Sequence, residues 1–217
     1  MSIMDAAQTK QVYAVDRAGF ASKAAENRFF YSLLSEVPNI PVKSKSENTA
    51  VKDIGQLSNM DISGKWEEKN YSDLRAGASF KEFHAPGDPD VSFNFYYRGA
   101  PTDGTSAKAF RDTLSAPDHH LSNAEIKALD LVLRNKSASD GFSILNCQTQ
   151  TINDKRVLVV EGRYSDQKVD VKSIYIDAGV KPGIVQEIYF QAPVDKYLKY
   201  KSDMNKAYQS IEWKAEV

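Results

Sequence analysis

Between Phe142 and Gln191 apolar positions, often in period-two alternation with polar ones, mark four consecutive runs, FSILNCQTQT, RVLVVEGRY, VDVKSIYID and GIVQEIYFQ. Turn-forming residues fill each gap: Asn153-Asp154, Ser165-Asp166-Gln167, and the stretch from Gly179 to Gly183. β-Branched and aromatic side chains dominate the runs, which predicts four β-strands laid down as a meander. In the third run Val169, Val171, Ser173 and Tyr175 share one face, and Lys172, Ile174 and Ile176 the other. The fourth places Ile184, Gln186, Ile188 and Phe190 opposite Val185, Glu187, Tyr189 and Gln191. Neither face is fully polar, so the sheet needs cover on both sides, and helices are expected to supply it. The short loops favour antiparallel pairing, because a parallel crossover takes about a dozen residues or more.

Two further strands are expected upstream, at Ala78 to His84 and Val91 to Arg98, parted by the turn Pro86-Gly87-Asp88-Pro89. Phe93, Phe95 and Tyr97 alternate with Ser92, Asn94 and Tyr96, which makes one face strongly aromatic. Together with the meander they give an antiparallel sheet of about six strands. Between the strand groups, helices are expected over Ser106 to Leu114 and from a capping box at Ser122-Asn123-Ala124-Glu125. Ile126, Leu129, Val132 and Leu133 continue the second of these as a one-sided apolar stripe. Pro193 opens a last helix, whose stripe is Tyr197, Tyr200, Met204, Tyr208 and Ile211, and SIEWK reads as a short edge strand after it.

Ahead of this domain, Ala18 to Val37 has helical composition, with Phe20, Ala24, Phe30 or Tyr31, and Leu34 near helical spacing. Pro38, Pro41 and the polar run Lys43 to Lys52 read as a linker. The division is therefore 1–60 as helical extension and linker, and 61–217 as an α+β sandwich domain. Asp61 to Ser72 holds either a short strand or one helical turn around Trp66.

Charge changes this picture little. Lys and Arg number 28 against 29 Asp and Glu, so no global basic field draws nucleic acid or anionic lipid. The 11 Tyr and 10 Phe supply side chains for burial or for an interface. A lone cysteine, Cys147, excludes an internal disulfide framework and fits a reducing compartment. No run reaches the ~18 apolar residues of a membrane span, and a secretory leader pattern is missing from the start, so the cytoplasm is the expected location.

Candidate chemistry is sparse. His119-His120, next to Asp118, is the one local cluster resembling metal ligands, yet adjacent residues point apart and His84 is the only other histidine. Cys147 has no Cys-x-x-Cys partner and reads as a small buried hydrophobe. Neither a Gly-x-Ser-x-Gly elbow nor a P-loop occurs. Lys196, Lys199, Lys201 and Lys206 interleave with tyrosines on the last helix, where lysine stems beside apolar surface are ordinary. No cofactor, metal or catalytic residue is assigned.

The order strand pair, helices, four-stranded meander and final helix resembles the PsbP-like α/β/α sandwich group. That group includes photosystem accessory subunits, a Ran-binding nuclear factor and bacterial chaperones for type VI secretion effectors. The residues that carry the resemblance are Asn153 to Val159 as a central hairpin, Ile188 to Pro193 (IYFQAP), and Ala207 to Trp213 (AYQSIEW). It spans about Ile62 to Lys214, with the Ser122 to Asn135 helix and the N-terminal extension as additions. The resemblance implies a non-enzymatic accessory, adaptor or chaperone protein that binds another protein, including in a bacterial secretion system. Contact surfaces on that reading are Phe93, Phe95 and Tyr97 on the sheet, or Phe29, Phe30 and Leu33 on the N-terminal helix. Core packing is the alternative reading of both sets. Two other functions stay open: a helix-grip-like domain that binds a small ligand or acts on one, and a structural protein that self-assembles into a homo-oligomer through its N-terminal helix.

Overall fold

A computed structural model describes residues 47–70, 78–99, 101–133, 136, 141–179 and 183–215. The chain divides into two compact units, Met1–Ser44 and Lys45–Val217. The first unit, and with it the helix expected over Ala18 to Val37, lies outside the described residues.

The second unit is α+β, with all its sheet pairings antiparallel. Its strands are β1 (Thr49–Ile54), β2 (Leu57–Ile62), β3 (Glu67–Asn70), β4 (Ser79–Ala85), β5 (Asp88–Tyr97), β6 (Phe142–Ile152), β7 (Lys155–Tyr164), β8 (Val169–Asp177), β9 (Val185–Pro193) and β10 (Glu212–Trp213). The helices are α1 (Gly104–Ser115), α2 (Asn123–Ala128) and α3 (Val194–Gln209). A seven-stranded sheet runs β3-β4-β5-β9-β8-β7-β6, and a three-stranded sheet runs β1-β2-β10. The meander forms as its alternation dictates, and Asn153 and Asp154 take φ of 44° and 66° in the tight β6–β7 turn.

The expected sheet of about six strands gains β3, because Glu67 to Asn70 pair with Lys81 to His84 while Trp66 enters the core. Its charged residues suit an edge strand. The linker expected over Lys43 to Lys52, and the boundary near Met60, give way to the β1–β2 hairpin. Val51, Ile54, Leu57, Met60 and Ile62 are all buried in the core. The polar composition that suggested a linker belongs to the outward side of an edge strand, where Lys52 and Asp53 are exposed.

Cover on both faces comes out only partly helical. One face of the large sheet packs against α3 and the three-stranded sheet, burying Phe83, Phe93, Phe95, Ile174, Ile176, Ile188 and Phe190. The other packs Leu158, Val160, Val171, Tyr175 and Val185 against Phe110 of α1 and against Leu129, Val132 and Leu133. The stripe after the capping box is thus buried, but α2 stops at Ala128, with Leu129 as its C-cap. Arg98 explains the stop in part: its guanidinium donates to the Leu131 carbonyl at 2.8 Å and to that of Val132, drawing both toward the end of β5.

Helix α3 docks through Met204, Ala207 and Tyr208. The Tyr208 hydroxyl accepts from Phe190 N at 3.0 Å and donates to Lys172 O at 2.7 Å, so this buried polar tip is satisfied by the sheet itself. At the far end Asp88 accepts from Lys199 and Tyr200 and pairs with Lys196, fastening the β4–β5 turn to the first turns of α3.

One buried side chain helps to fix the hairpin. Gln186 of β9 accepts from Gln56 N at 2.7 Å and donates to Ile54 O at 2.8 Å, satisfying two backbone groups of the β1–β2 turn. Gly55, at φ 57°, approaches so closely that a Cβ there would lie 2.3 Å from the Gln186 Oε1. Gln186→Leu strands both backbone groups, and the expected loss is about 3 kcal/mol of unfolding free energy in urea titration. A loss below about 1 kcal/mol would show that water serves the turn equally well.

Candidate functional site

Phe93 and Phe95, expected as a contact surface, are 1% and 0% exposed and belong to the core. Phe93 packs edge-on against Phe190 and Tyr208, so its aromatic face is the buried face of the sheet, not a docking surface. Tyr97 is half-buried at the end of β5. Phe29, Phe30 and Leu33 lie outside the described residues.

The histidines reach separate partners. His119 contacts the Pro117 carbonyl at 2.7 Å and Glu125 at 3.1 Å, whereas His120 contacts Asn146 at 3.1 Å. His84 lies 3.1 Å from Glu82 and contacts the Pro89 carbonyl. The Pro117 carbonyl, and then Glu125, raise the pKa of His119 above its ordinary value. Glu125 in turn is lowered to about 2, chiefly by the Ser122 hydroxyl and backbone N–H of the capping box. Cys147 packs in the core beside Val160, and burial pushes its thiol up to about 12, with the Glu125 charge adding to the rise. Such a thiol carries almost no thiolate at neutral pH, which removes it as a ready nucleophile. Lys196 and Lys199 pair with Asp88, and Lys206 with Asp203, so these lysines of α3 are matched by carboxylates.

Two arrangements were not foreseen. The first is a buried ammonium. Lys136, 7% exposed, has its Nζ 5.4 Å from the ring centres of both Phe142 and Tyr164 and 5.1 Å from that of Tyr189. It lies 3.3 Å from the Tyr164 hydroxyl and 3.6 Å from the Glu187 carboxylate. Glu187, itself buried in β9, also accepts from the Ser173 hydroxyl at 3.0 Å. Burial, and then Glu187, hold the nearby Tyr175 hydroxyl far above its ordinary pKa. One sequence signal pointed here: Glu187 is a carboxylate in a strand with both faces buried, a position that calls for a cation.

The second is the edge of the large sheet at β6. Residues His119 to Leu121 pair with its outer side, with Leu121 N donating to Cys147 O and Thr149 N to His119 O, both at 2.9 Å. Before Cys147 the strand has no further strand partner on that side among the described residues. There the β6–β7 register shifts between Ile144 and Asn146, so Leu145 is an extra residue and stands 50% exposed. Leu145 and Leu198 are the exposed large hydrophobic side chains among the described residues.

No protein-family model matches this chain, and neither does any curated protein. Among solved structures it is similar to the solution structure of cyanobacterial PsbP from Synechocystis sp. PCC 6803, at 10% sequence identity and a TM-score of 0.49. The match covers 83% of this chain and 99% of that one.

Two outcomes follow from these environments. Cys147 should resist a thiol-specific aromatic disulfide at pH 8 in the folded protein and react at once in denaturant, as followed by absorbance. Rapid native reaction would place a thiolate at that position. His119 should titrate by NMR above about 6.5, and Glu125→Gln should lower its midpoint part-way, since the larger cause, the Pro117 carbonyl, stays. Because the folded pKa is raised, the His119 contribution to stability is complete below the unfolded value and fades as pH rises through the folded one.

Proposed function

We propose that this protein is a non-catalytic accessory protein that binds an extended segment of another polypeptide along the half of β6 that precedes Cys147. The observation that carries this reading is Leu145. A bulge turns it outward, half-exposed, beside strand edge that the His119 to Leu121 segment leaves uncovered. An added strand satisfies backbone groups at such an edge, and a large apolar side chain beside it supplies an anchor. The groups with chemical potential support the same reading from the other side. Cys147 is held as a thiol in the core, and Glu187 is engaged by Lys136 and Ser173. Within this proposal the finer role is that of a cytoplasmic adaptor or chaperone, including one in a bacterial secretion system, with Phe29, Phe30, Leu33 and Tyr97 as further contact residues.

The test compares full-length wild type with Leu145→Lys by affinity capture from lysate of the source cells, read by mass spectrometry. The expected result is one protein retained by wild type and recovered about tenfold less with L145K, equivalent to about 1.4 kcal/mol. Its thermal midpoint should stay unchanged, because the substituted side chain is exposed. Equal recovery by both proteins would remove the β6 edge from the interaction.

A further inference from the structure

We propose that Phe142, Tyr164, Tyr189 and Glu187 form a recognition site for a primary alkylammonium group, and that Lys136 is its built-in ligand. Three aromatic rings surround the Lys136 Nζ at 5.1 to 5.4 Å, within the range in which the negative face of a ring attracts a cation. An aromatic cage with an acidic residue is the usual chemistry of ammonium recognition, and here Glu187 supplies the carboxylate at 3.6 Å. The surroundings are largely dry: Phe142 is 3% exposed and Glu187 5%, so the attraction is weakly screened by solvent.

The cage also sets which ammonium it accepts. Tyr164 Oη, 3.3 Å from Nζ, accepts a hydrogen bond from it, Glu187 Oε1 forms an ion pair with it at 3.6 Å, and Ser173 donates to that same Glu187 oxygen at 3.0 Å. A primary ammonium has an N–H for Tyr164 and a small charged head that lets Glu187 approach, whereas a quaternary ammonium has no N–H donor and is wider. The site therefore selects a primary over a quaternary cation, and a cation over a neutral group of equal size. This differs from a lysine that merely fills space, because space filling would be met equally by an uncharged isostere.

Trimming Lys136→Ala removes the atoms that n-propylammonium restores. The full-length K136A protein is titrated with n-propylammonium, n-propanol and tetramethylammonium, reading thermal midpoint and the aromatic NMR signals of Tyr164 and Tyr189. The expected result is a saturable response to n-propylammonium alone, with a rise of about 3 °C in midpoint at saturation, and none in wild type, where Lys136 holds the site. If K136A does not fold by itself, n-propylammonium is expected to restore its folded signal where n-propanol does not. Three results would overturn the proposal: no saturable response and no restoration, an equal effect of n-propanol, or the same response in wild type. Because the reading concerns the cage and not Leu145, loss of partner capture by L145K bears on the proposed function alone.

Discussion

Gln186 and Glu187 are consecutive residues of the central strand β9, they point to opposite faces of the large sheet, and each is buried. A strand with both faces covered is expected to be apolar throughout, since an unmatched polar group there costs about 1–3 kcal/mol and an unmatched charge more. Each of these two residues instead ties down the cover of its own face. Gln186 reads the backbone of the β1–β2 turn and seats the small sheet, while Glu187 takes the Lys136 ammonium on the side where α1 and Leu129 to Leu133 pack. Hydrophobic burial supplies most of the attraction between the layers, but it is non-directional. The two polar side chains add direction, because an amide or a carboxylate is satisfied in only one relative placement of its partners.

The meander, the order of elements from β4 onward and the faces of β8 and β9 are legible in the sequence, because period-two alternation and turn residues are local properties. Val171 and Tyr175 do share one cluster, and Ile174 and Ile176 the other. What escaped was non-local. The β1–β2 hairpin has too few apolar residues to announce itself, and its burial depends on α3 and on Gln186, which lies 130 residues away from Gln56. The short α2 escaped for the same reason: the stripe Leu129, Val132 and Leu133 is compatible with a helix, and only the guanidinium of Arg98, arriving from β5, takes the carbonyls beyond it.

The aromatic alternation of Phe93, Phe95 and Tyr97 had two readings, and burial decides between them for the first two. Sequence shows that a face is apolar but not what lies against it. Here α3 and Trp66 do, with Trp66 5.3 Å from Phe93 between ring centres. Lys136 was invisible for the complementary reason. A lysine between polar residues looks solvated, and only the fold brings Phe142, Tyr164 and Tyr189, from three different strands, around its tip.

The cage and the Leu145 edge meet at the start of β6, beside Gly162 of β7. Phe142 lies across Gly162 of β7, where a Cβ would come within 2.4 Å of the phenyl ring and 2.5 Å of the Ser143 carbonyl. With no side chain at 162 there is room for the ring, which meets Tyr164 edge-on at 4.8 Å between ring centres, and those two rings form adjoining walls of the cage. The bulge at Leu145 comes next along the strand. Ile144 faces Gly162 and Asn146 faces Glu161, so the extra residue is taken up just after the crowded contact. Beyond it the ladder resumes in a register that puts Cys147 and Thr149 on the core side. The inward turn of Phe142 that builds the ammonium site and the outward turn of Leu145 that marks the edge lie three residues apart on one strand, with the Ile144–Gly162 pair between them.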